Sequence, residues 1–203
     1  MKKLLSLLTA LFLLFGSAAC AETTTAVVCY SRADENYSVG YIEKGNTQIL
    51  AELIAEKTGA DLYMIDVAEP FPADYDECIA VVHQEMADGI ERALAGDVDI
   101  SAYDTVYIGY PIWWGNIAIP MQTFLKNHDW TGKTVIPFNT HEGSGQSGTV
   151  STIRELCAGA EVLDGIAIQG SMAQNETEQA EALLDEWLAG MAADNITTTG
   201  GGS

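Results

Sequence analysis

Short apolar runs alternate with stretches of helical periodicity along most of this chain, and this alternation constrains the fold more than any other feature. The apolar runs predict five strands, at residues 25–30, 60–67, 105–109, 134–138 and, in two pieces, 161–163 and 166–168. Apolar residues at helical spacing predict an intervening helix around Ile49 and Leu53, and further helices over 74–95, 119–127, 150–156 and 176–191.

Five strand–helix units predict a parallel sheet with helices on both faces, which is a three-layer α/β fold. The doubly wound order 2-1-3-4-5 fits five strands, and a chain of 203 residues that is 48% apolar suits one domain with a full core. In folds with this strand order, ligands bind at the switch point, which lies between the first and third strands. We therefore expect one domain over 25–191, followed by a low-complexity, disordered tail over 192–203.

The first residues have the pattern of a secretory signal peptide. Lys2 and Lys3 precede an apolar run over 4–15, which is too short to span a bilayer, and small residues follow to Ala21. Cleavage after Ala21 would release a soluble protein, whereas cleavage before Cys20 would leave a cysteine that could carry lipid. Both routes predict an exported chain, either periplasmic, secreted or anchored to a membrane as a lipoprotein.

The charge of the chain narrows its partners. A formal net charge of -20 argues against nucleic acid and anionic membrane surfaces, so a lipid on Cys20 would be the sole membrane attachment. The same charge would steer basic proteins toward this one, although an acidic surface also simply keeps an exported protein soluble.

The three remaining cysteines do not form a redox or metal motif. Cys29, Cys78 and Cys157 contain no CxxC pair and no metal-ligand spacing. Cys29 lies in an apolar strand and is expected to be a small buried hydrophobe. A disulfide between Cys78 and Cys157 could form in an oxidising compartment, but no local pattern supports it.

An unusual aromatic segment directly follows the third predicted strand. Its sequence is Tyr110-Pro111-Ile112-Trp113-Trp114-Gly115. Two adjacent tryptophans between a proline and a glycine are hard to explain as core packing, and loops past the carboxyl ends of parallel strands line the ligand crevice. We interpret this segment as a platform for a flat aromatic ligand.

The segments after strands one and four carry small and polar residues. Gly45-Asn46-Thr47 opens a helix, where free backbone N–H groups and the helix dipole suit a phosphate, although Asn46 or Thr47 could merely cap the helix. Residues 139–148 contain three glycines within six residues, whose N–H groups could bond carbonyl and ring-nitrogen acceptors. An ordinary flexible loop is the alternative there.

Taken together, these segments resemble the flavodoxin family, and more closely the exported bacterial flavodoxin-like proteins. The shared pattern is YPIWW followed by GKT-x₃-F-x-TH-x-GSG, and the resemblance covers roughly residues 25–191. It implies a bound FMN, with the phosphate held after strand one, the tryptophan segment stacked on the ring, and the strand-four segment at the opposite ring edge. The residues implied are, in that order, Ser31, Gly45, Asn46 and Thr47; Pro111, Ile112, Trp113, Trp114 and Gly115; and Thr140, His141, Gly143, Ser144 and Gly145.

Two details of this resemblance leave alternatives open. The family's compact phosphate loop is stretched here by residues 33–44, which could close over the phosphate or weaken FMN binding. His141 could donate a hydrogen bond toward the flavin or help to balance negative charge on it, or it could hold its own loop together.

Three functions fit these expectations. The first is an electron carrier outside the cytoplasm that docks on a basic redox protein. The second is an FMN-dependent NAD(P)H:quinone-type oxidoreductase acting on a small acceptor such as a quinone. The third is a flavodoxin-fold binding module that has lost FMN. No nucleophile with an adjacent base is apparent in the sequence, so we predict no catalytic side chain.

Overall fold

The computed structural model describes residues 24–199. The predicted signal peptide, with Cys20, lies outside these residues. The strands are β1 (Thr25–Tyr30), β2 (Asp34–Asn36), β3 (Gly40–Ile42), β4 (Asp61–Ile65), β5 (Thr105–Trp113), β6 (Asn116–Ile117), β7 (Thr134–His141), β8 (Glu161–Val162) and β9 (Ile166–Gln169). The helices are α1 (Asn46–Thr58), α2 (Tyr75–Asp88), α3 (Ile119–Asn127), α4 (Thr149–Leu156), α5 (Gly170–Asn175) and α6 (Thr177–Thr199).

The main sheet is parallel and has the predicted strand order. Its order is β4-β1-β5-β7-β8, with β9 pairing further along β7, and this is order 2-1-3-4-5 when the principal strands alone are counted. Two of the strands that the sequence analysis did not predict, β2 and β3, form a separate antiparallel hairpin within residues 33–44. We call residues 34–42 the inserted hairpin.

Both faces of the sheet are covered, which confirms the three-layer prediction. Along β1, Val28 and Tyr30 belong to the core cluster under α2, α3 and α4, whereas Val27 and Cys29 belong to the cluster under α1, α5 and α6. Strands buried on both faces have near-continuous apolar sequences, as β1 does. No helix within residues 24–199 is long and apolar enough to cross a bilayer.

The fifth strand is interrupted opposite a proline. Val135 pairs with Val162 of β8, and Phe138 pairs with Ile166 of β9, so the gap faces Ile136 and Pro137. Because proline has no N–H to donate, the ladder cannot run evenly past it. The sequence pattern predicted a strand in two pieces, and Pro137 supplies the physical reason.

Two helix ends differ from prediction. α2 ends at Asp88 rather than at residue 95, because Gly89 adopts a left-handed conformation (φ 67°) and its N–H closes the last turn on the Glu85 and Met86 carbonyls. α6 continues to Thr199, so the predicted disordered tail over 192–203 is helical as far as that residue. Gly190 lies inside this helix without ending it, no proline follows, and residues 200–203 lie outside the described part of the chain.

Candidate functional site

A cleft of about 370 Å³ lies at the carboxyl ends of β1, β5 and β7, next to the switch point of the sheet. Its size is within the range of small-molecule and cofactor sites. Its walls come from the start of α1, the end of β5 with the turn after it, the end of β7 with the segment that follows, the start of α5, and Arg32 and the inserted hairpin together with α2.

The aromatic segment is not the irregular loop that the sequence predicts. β5 continues through Trp113, turns tightly and returns as β6, with Ile112 paired to Ile117 and Trp113 paired to Asn116. The two turn residues, Trp114 and Gly115, both have positive φ, at 49° and 73°, as a two-residue type I′ hairpin requires. We call residues 110–117 the tryptophan hairpin.

The two tryptophans have different surroundings. Trp113 is half-buried, and its ring lies nearly perpendicular to those of Tyr30 and Phe71, with centroids 5.6 and 5.1 Å away. Trp114 is 60% exposed, and its ring lies 4.9 Å from that of His83 on α2. A bulky residue at positive φ is uncommon and strained, and such strain is typical of functional sites. Trp113 is therefore anchored by the core, whereas Trp114 is held out at the mouth of the cleft.

The start of α1 is tightly built. A Cβ at Gly45 would lie 2.2 Å from Ser31 Oγ, so only glycine allows the chain to pass here. Ser31 Oγ accepts the backbone N–H of Gln48 at 3.0 Å, which occupies one of the free amides of the helix. Among residues 24–199, no group accepts a hydrogen bond from the backbone N–H of Asn46 or of Thr47. Asn46 Oδ1 is buried, and no group within the same residues donates to it. These groups could bind the polar end of a ligand.

The end of β7 is joined to α1 by a buried contact. Thr47 Oγ1 and Thr140 Oγ1 lie 2.6 Å apart, and both side chains are nearly inaccessible to solvent. Thr140, His141 and Ser144 line the cleft. The hydroxyl pair therefore fixes the position of this segment relative to the start of the helix.

His141 holds its own loop. Its Nδ1 accepts the backbone N–H of Gly143 at 2.9 Å. Desolvation lowers the pKa of His141 below its ordinary value, and the charge of Glu142 opposes this shift only in part. The ring is therefore neutral at pH 7, with its proton on Nε2, which favours the loop-holding role over charge balance and still leaves one donor for a ligand.

Glu142 is a cleft residue that the sequence analysis missed. Its carboxylate accepts the N–H of Ser171 at 2.6 Å and the hydroxyl of Ser171 at 2.9 Å, at the start of the unpredicted helix α5. Gly170, immediately before it, also lines the cleft. No short-range pattern links Glu142 to a partner 29 residues away, so this contact could not be read from the sequence.

The inserted hairpin forms a wall and is docked on the start of α2. The guanidinium of Arg32 donates to the carbonyl oxygens of Glu35, Pro72 and Ala73. The Glu35 carboxylate accepts a hydrogen bond from the backbone N–H of Tyr75 at 3.1 Å. The backbone N–H of Glu35 donates to the carbonyl oxygen of Ala73. Residues 33–44 therefore form an ordered structure beside the cleft and not a loop closed over a phosphate.

This wall brings further aromatic and apolar residues to the cleft. Tyr37, at the tip of the inserted hairpin, lies against Tyr75 with ring centroids 6.0 Å apart. Cys78 and Ile79, on the following turn of α2, line the same end. Burial raises the pKa of the Cys78 thiol, so it is not a reactive thiolate. Cys78 and Cys157 are both free, so the disulfide considered from the sequence is not formed.

The structure brings most of the predicted site residues together. Nine of them line the cleft, namely Asn46, Pro111, Ile112, Trp113, Trp114, Gly115, Thr140, His141 and Ser144. Five do not form its walls, namely Ser31, Gly45, Thr47, Gly143 and Gly145. Ser31, Gly45 and Thr47 instead shape the start of α1, and Gly143 supplies the backbone N–H that orients His141.

Comparison with known protein families identifies one match. A sequence model of the flavodoxin family matches residues 37–186. None of the curated proteins matches the chain significantly.

Solved structures give close matches over most of the chain. An inferred flavoprotein from Bacteroides uniformis is 27% identical, with a TM-score of 0.61, over 78% of this chain and 98% of its own. One from Bacteroides eggerthii is 26% identical, with a TM-score of 0.61, over 77% and 96%. A flavoprotein from Lactobacillus acidophilus, solved in complex with FMN, is 25% identical, with a TM-score of 0.55, over 75% and 97%.

Proposed function

Because the chain belongs to the flavodoxin family, we propose that it binds FMN in this cleft and passes electrons outside the cytoplasm. The observation that carries the proposal is the convergence of the α1 start, the tryptophan hairpin and the β7 segment on one cleft of about 370 Å³. The similar Lactobacillus acidophilus flavoprotein was solved with FMN, which supports the choice of cofactor.

The residues of the cleft fit the parts of FMN. The backbone N–H groups of Asn46 and Thr47 would donate to the phosphate, and the buried Asn46 Oδ1 would accept from a hydroxyl of the polar chain next to it. Trp113 and Trp114 would flank the ring system, whose stacking contributes roughly 0.5–1.5 kcal/mol beyond area burial. When bound, FMN supplies one- and two-electron transfer, which side chains do not provide.

The chain's own residues would position the ring and donate a hydrogen bond to it. Trp113, wedged against Tyr30 and Phe71, keeps one wall rigid and excludes water. His141 is neutral, so its Nε2–H can donate a hydrogen bond while Nδ1 stays bonded to Gly143. A neutral donor would orient a ligand without adding a positive charge.

Export and partner choice are further parts of the proposal. The sequence pattern of residues 1–21 supports export, with attachment to a membrane only through a lipid on Cys20. A net charge of -20 supports a basic redox protein as partner, because opposite charges accelerate encounter.

The direct test is titration of the purified protein with FMN, followed by visible absorbance and quenching of flavin fluorescence. We expect saturable binding by the wild type and a large loss in a Trp113→Ala, Trp114→Ala double variant. Tyr41→Ala, which removes an exposed aromatic ring outside the cleft, is the matched control. Absence of binding at high micromolar FMN would leave the third reading, a flavodoxin-fold module that has lost its cofactor.

A second candidate is the FMN-dependent NAD(P)H:quinone-type oxidoreductase. It is favoured by one observation, that the cleft extends beyond the predicted FMN contacts to Tyr37 and the face of α2. Steady-state turnover with NAD(P)H and a quinone separates this enzyme from a carrier, which would react only with a protein partner.

A further inference from the structure

A layer of side chains that does not line the cleft lies behind Trp113. Phe71, which precedes α2 and is only 7% exposed, contacts Trp113 with the two rings nearly perpendicular and their centroids 5.1 Å apart. The guanidinium carbon of Arg92 lies over the Phe71 ring, 3.8 Å from its centroid. Neither Phe71 nor Arg92 reaches the cleft itself. The three side chains therefore form a continuous contact from the segment after α2 to the wall of the proposed flavin site.

The guanidinium of Arg92 is fixed by bonds to two other parts of the chain. Its Nε donates to the Glu85 carboxylate at 2.9 Å and its Nη2 donates to the other oxygen at 2.7 Å, so the pair is bidentate. Its Nη1 donates to the backbone carbonyl of Glu69, two residues before Phe71. The side chains of Arg92 and Glu85 are each only 14% exposed, so salt screens this contact little. Because these bonds hold the planar group on α2 and on the Phe71 segment together, its position over the Phe71 ring is fixed.

This arrangement can transmit geometry, and not charge, to the cleft. The ion pair of Arg92 with Glu85 has no net formal charge. Guanidinium groups are attracted to the faces of aromatic rings, and the attraction is stronger where water is excluded, as it is at the buried Phe71. Arg92 therefore restrains the Phe71 ring. Phe71 in turn restrains Trp113, because close-packed perpendicular rings leave little space for one to tilt unless the other moves.

We propose that Arg92 is a positioning residue for the flavin, which through Phe71 fixes the plane of the Trp113 ring beside the isoalloxazine. The inference rests on the proposed function, since it needs FMN next to Trp113. It goes beyond that function because the affinity for FMN then depends on a residue that does not line the cleft. The sequence pattern placed Arg92 in the helix predicted over 74–95, whereas the end of α2 at Asp88 leaves it outside the helix, where it reaches Phe71.

The first test is FMN titration of Arg92→Lys. This variant keeps a positive charge beside the buried Glu85 carboxylate but loses the planar group over Phe71. We expect FMN binding to weaken roughly 2- to 12-fold, the range that corresponds to loss of one aromatic contact. If Arg92 acted through its charge, the lysine variant would bind FMN normally. Arg154→Lys, the same change at an exposed arginine paired with Asp164, is the matched control.

Fluorine NMR of FMN-saturated protein that carries fluorotryptophan reports the ring position directly. The Trp113 resonance is the one that is missing from Trp113→Phe. We expect Arg92→Lys to shift this resonance and to leave that of Trp130, which is buried against Phe124, unchanged. A general loosening of the core would move both resonances.

Phe71→Leu tests whether the effect passes through the Phe71 ring. It removes the ring between Arg92 and Trp113 and keeps an apolar side chain in the core. In the Phe71→Leu background, Arg92→Lys should have no further effect on FMN affinity, so the two changes should be strongly non-additive.

The outcomes separate the two proposals. A wild-type protein that does not bind FMN overturns the proposed function and this inference with it. If the wild type binds FMN, unchanged affinity in Arg92→Lys or an equal loss in Arg154→Lys overturns this inference alone. An unmoved Trp113 resonance, a Trp130 resonance that moves with it, or additive effects of Arg92→Lys and Phe71→Leu would also overturn it, because Arg92 would then not act on Trp113 through Phe71.

Discussion

The hydroxyl of Thr47, in the first turn of α1, lies 2.6 Å from the hydroxyl of Thr140, near the end of β7. These residues are 93 positions apart in the chain, and both are almost completely buried. The contact joins two of the segments that build the cleft, so a substitution at either residue should alter the position of both segments.

Replacing either threonine by valine should destabilise the protein. Thr47→Val or Thr140→Val leaves the remaining buried hydroxyl without this partner, which costs about 1–3 kcal/mol in the free energy of unfolding. The double variant should cost less than the sum of the two single changes, because no orphaned hydroxyl remains. Urea denaturation of all four proteins measures this coupling, and strictly additive effects would show that the hydroxyls do not interact.

Substitutions at the two tryptophans should affect folding stability and FMN binding differently. Trp113→Ala removes a half-buried ring that contacts Tyr30 and Phe71, and should cost roughly 2 kcal/mol of folding free energy, below the range for fully buried tryptophans. Trp114→Gly removes an exposed ring at a φ of 49° and should change stability by less than about 0.5 kcal/mol. It should nevertheless weaken FMN binding by roughly 10-fold. Thermal unfolding and FMN titration of both variants test this division, and the opposite pattern would contradict it.

The neutral state of His141 predicts a dependence of stability on pH. Because the folded pKa lies below the ordinary value of about 6.5, the unfolded chain binds the proton more readily. His141 therefore makes its full contribution to the free energy of unfolding above about pH 6.5. This contribution decreases as the pH falls from there toward the folded pKa. Protonation of Nδ1 also removes the acceptor of the Gly143 N–H.

The measurement compares unfolding free energies at pH 7.5 and pH 5.5. Many carboxylates also titrate on acidification, so the informative quantity is the difference between wild type and His141→Gln. The variant should lose less stability on acidification than the wild type. His83→Gln, a change at an exposed histidine near Trp114, is the matched control. An identical pH response in wild type and His141→Gln would refute the assignment.

Arg32 should control the docking of the inserted hairpin. Arg32→Lys keeps the charge but cannot reach the Glu35, Pro72 and Ala73 carbonyls with one planar group. We expect faster hydrogen exchange at the Glu35 N–H and faster chymotryptic cleavage after Tyr37 and Tyr41, with little change in global stability. Arg154→Lys, at an exposed arginine paired with Asp164, should leave both rates unchanged.

Features of the fold that depend on local pattern could be predicted from the sequence. The apolar runs of β1, β5 and β7 are buried on both faces, so their composition alone identifies them as central parallel strands. The order 2-1-3-4-5 then placed the tryptophan segment beside the start of α1. The end of α2 could also have been found, because Gly89 is a typical left-handed helix terminator.

Features that depend on distant partners could not be predicted. The inserted hairpin has strands of only three residues, and it is held by carbonyl groups about 40 positions along the chain. Positive φ occurs at two non-glycine residues, Asp34 in β2 and Ser38 in the turn, as well as at Gly40. The resemblance implied Ser31 and Thr47 as ligand contacts; in the structure Ser31 Oγ accepts the N–H of Gln48 and the Thr47 hydroxyl is bonded to Thr140. Side-chain type indicates what a residue can bind, and only tertiary contacts determine which partner it has.

The interruption of the outermost strand opposite Pro137 affects how molecules of this protein meet one another. Long, regular edge strands act as templates for pairing with a second chain and are a common origin of aggregation. Here that edge is divided into segments of two and four residues, β8 and β9. Neither offers a continuous row of backbone groups to a neighbour. The proline that breaks the internal ladder should therefore also help to keep concentrated protein from assembling into extended sheets.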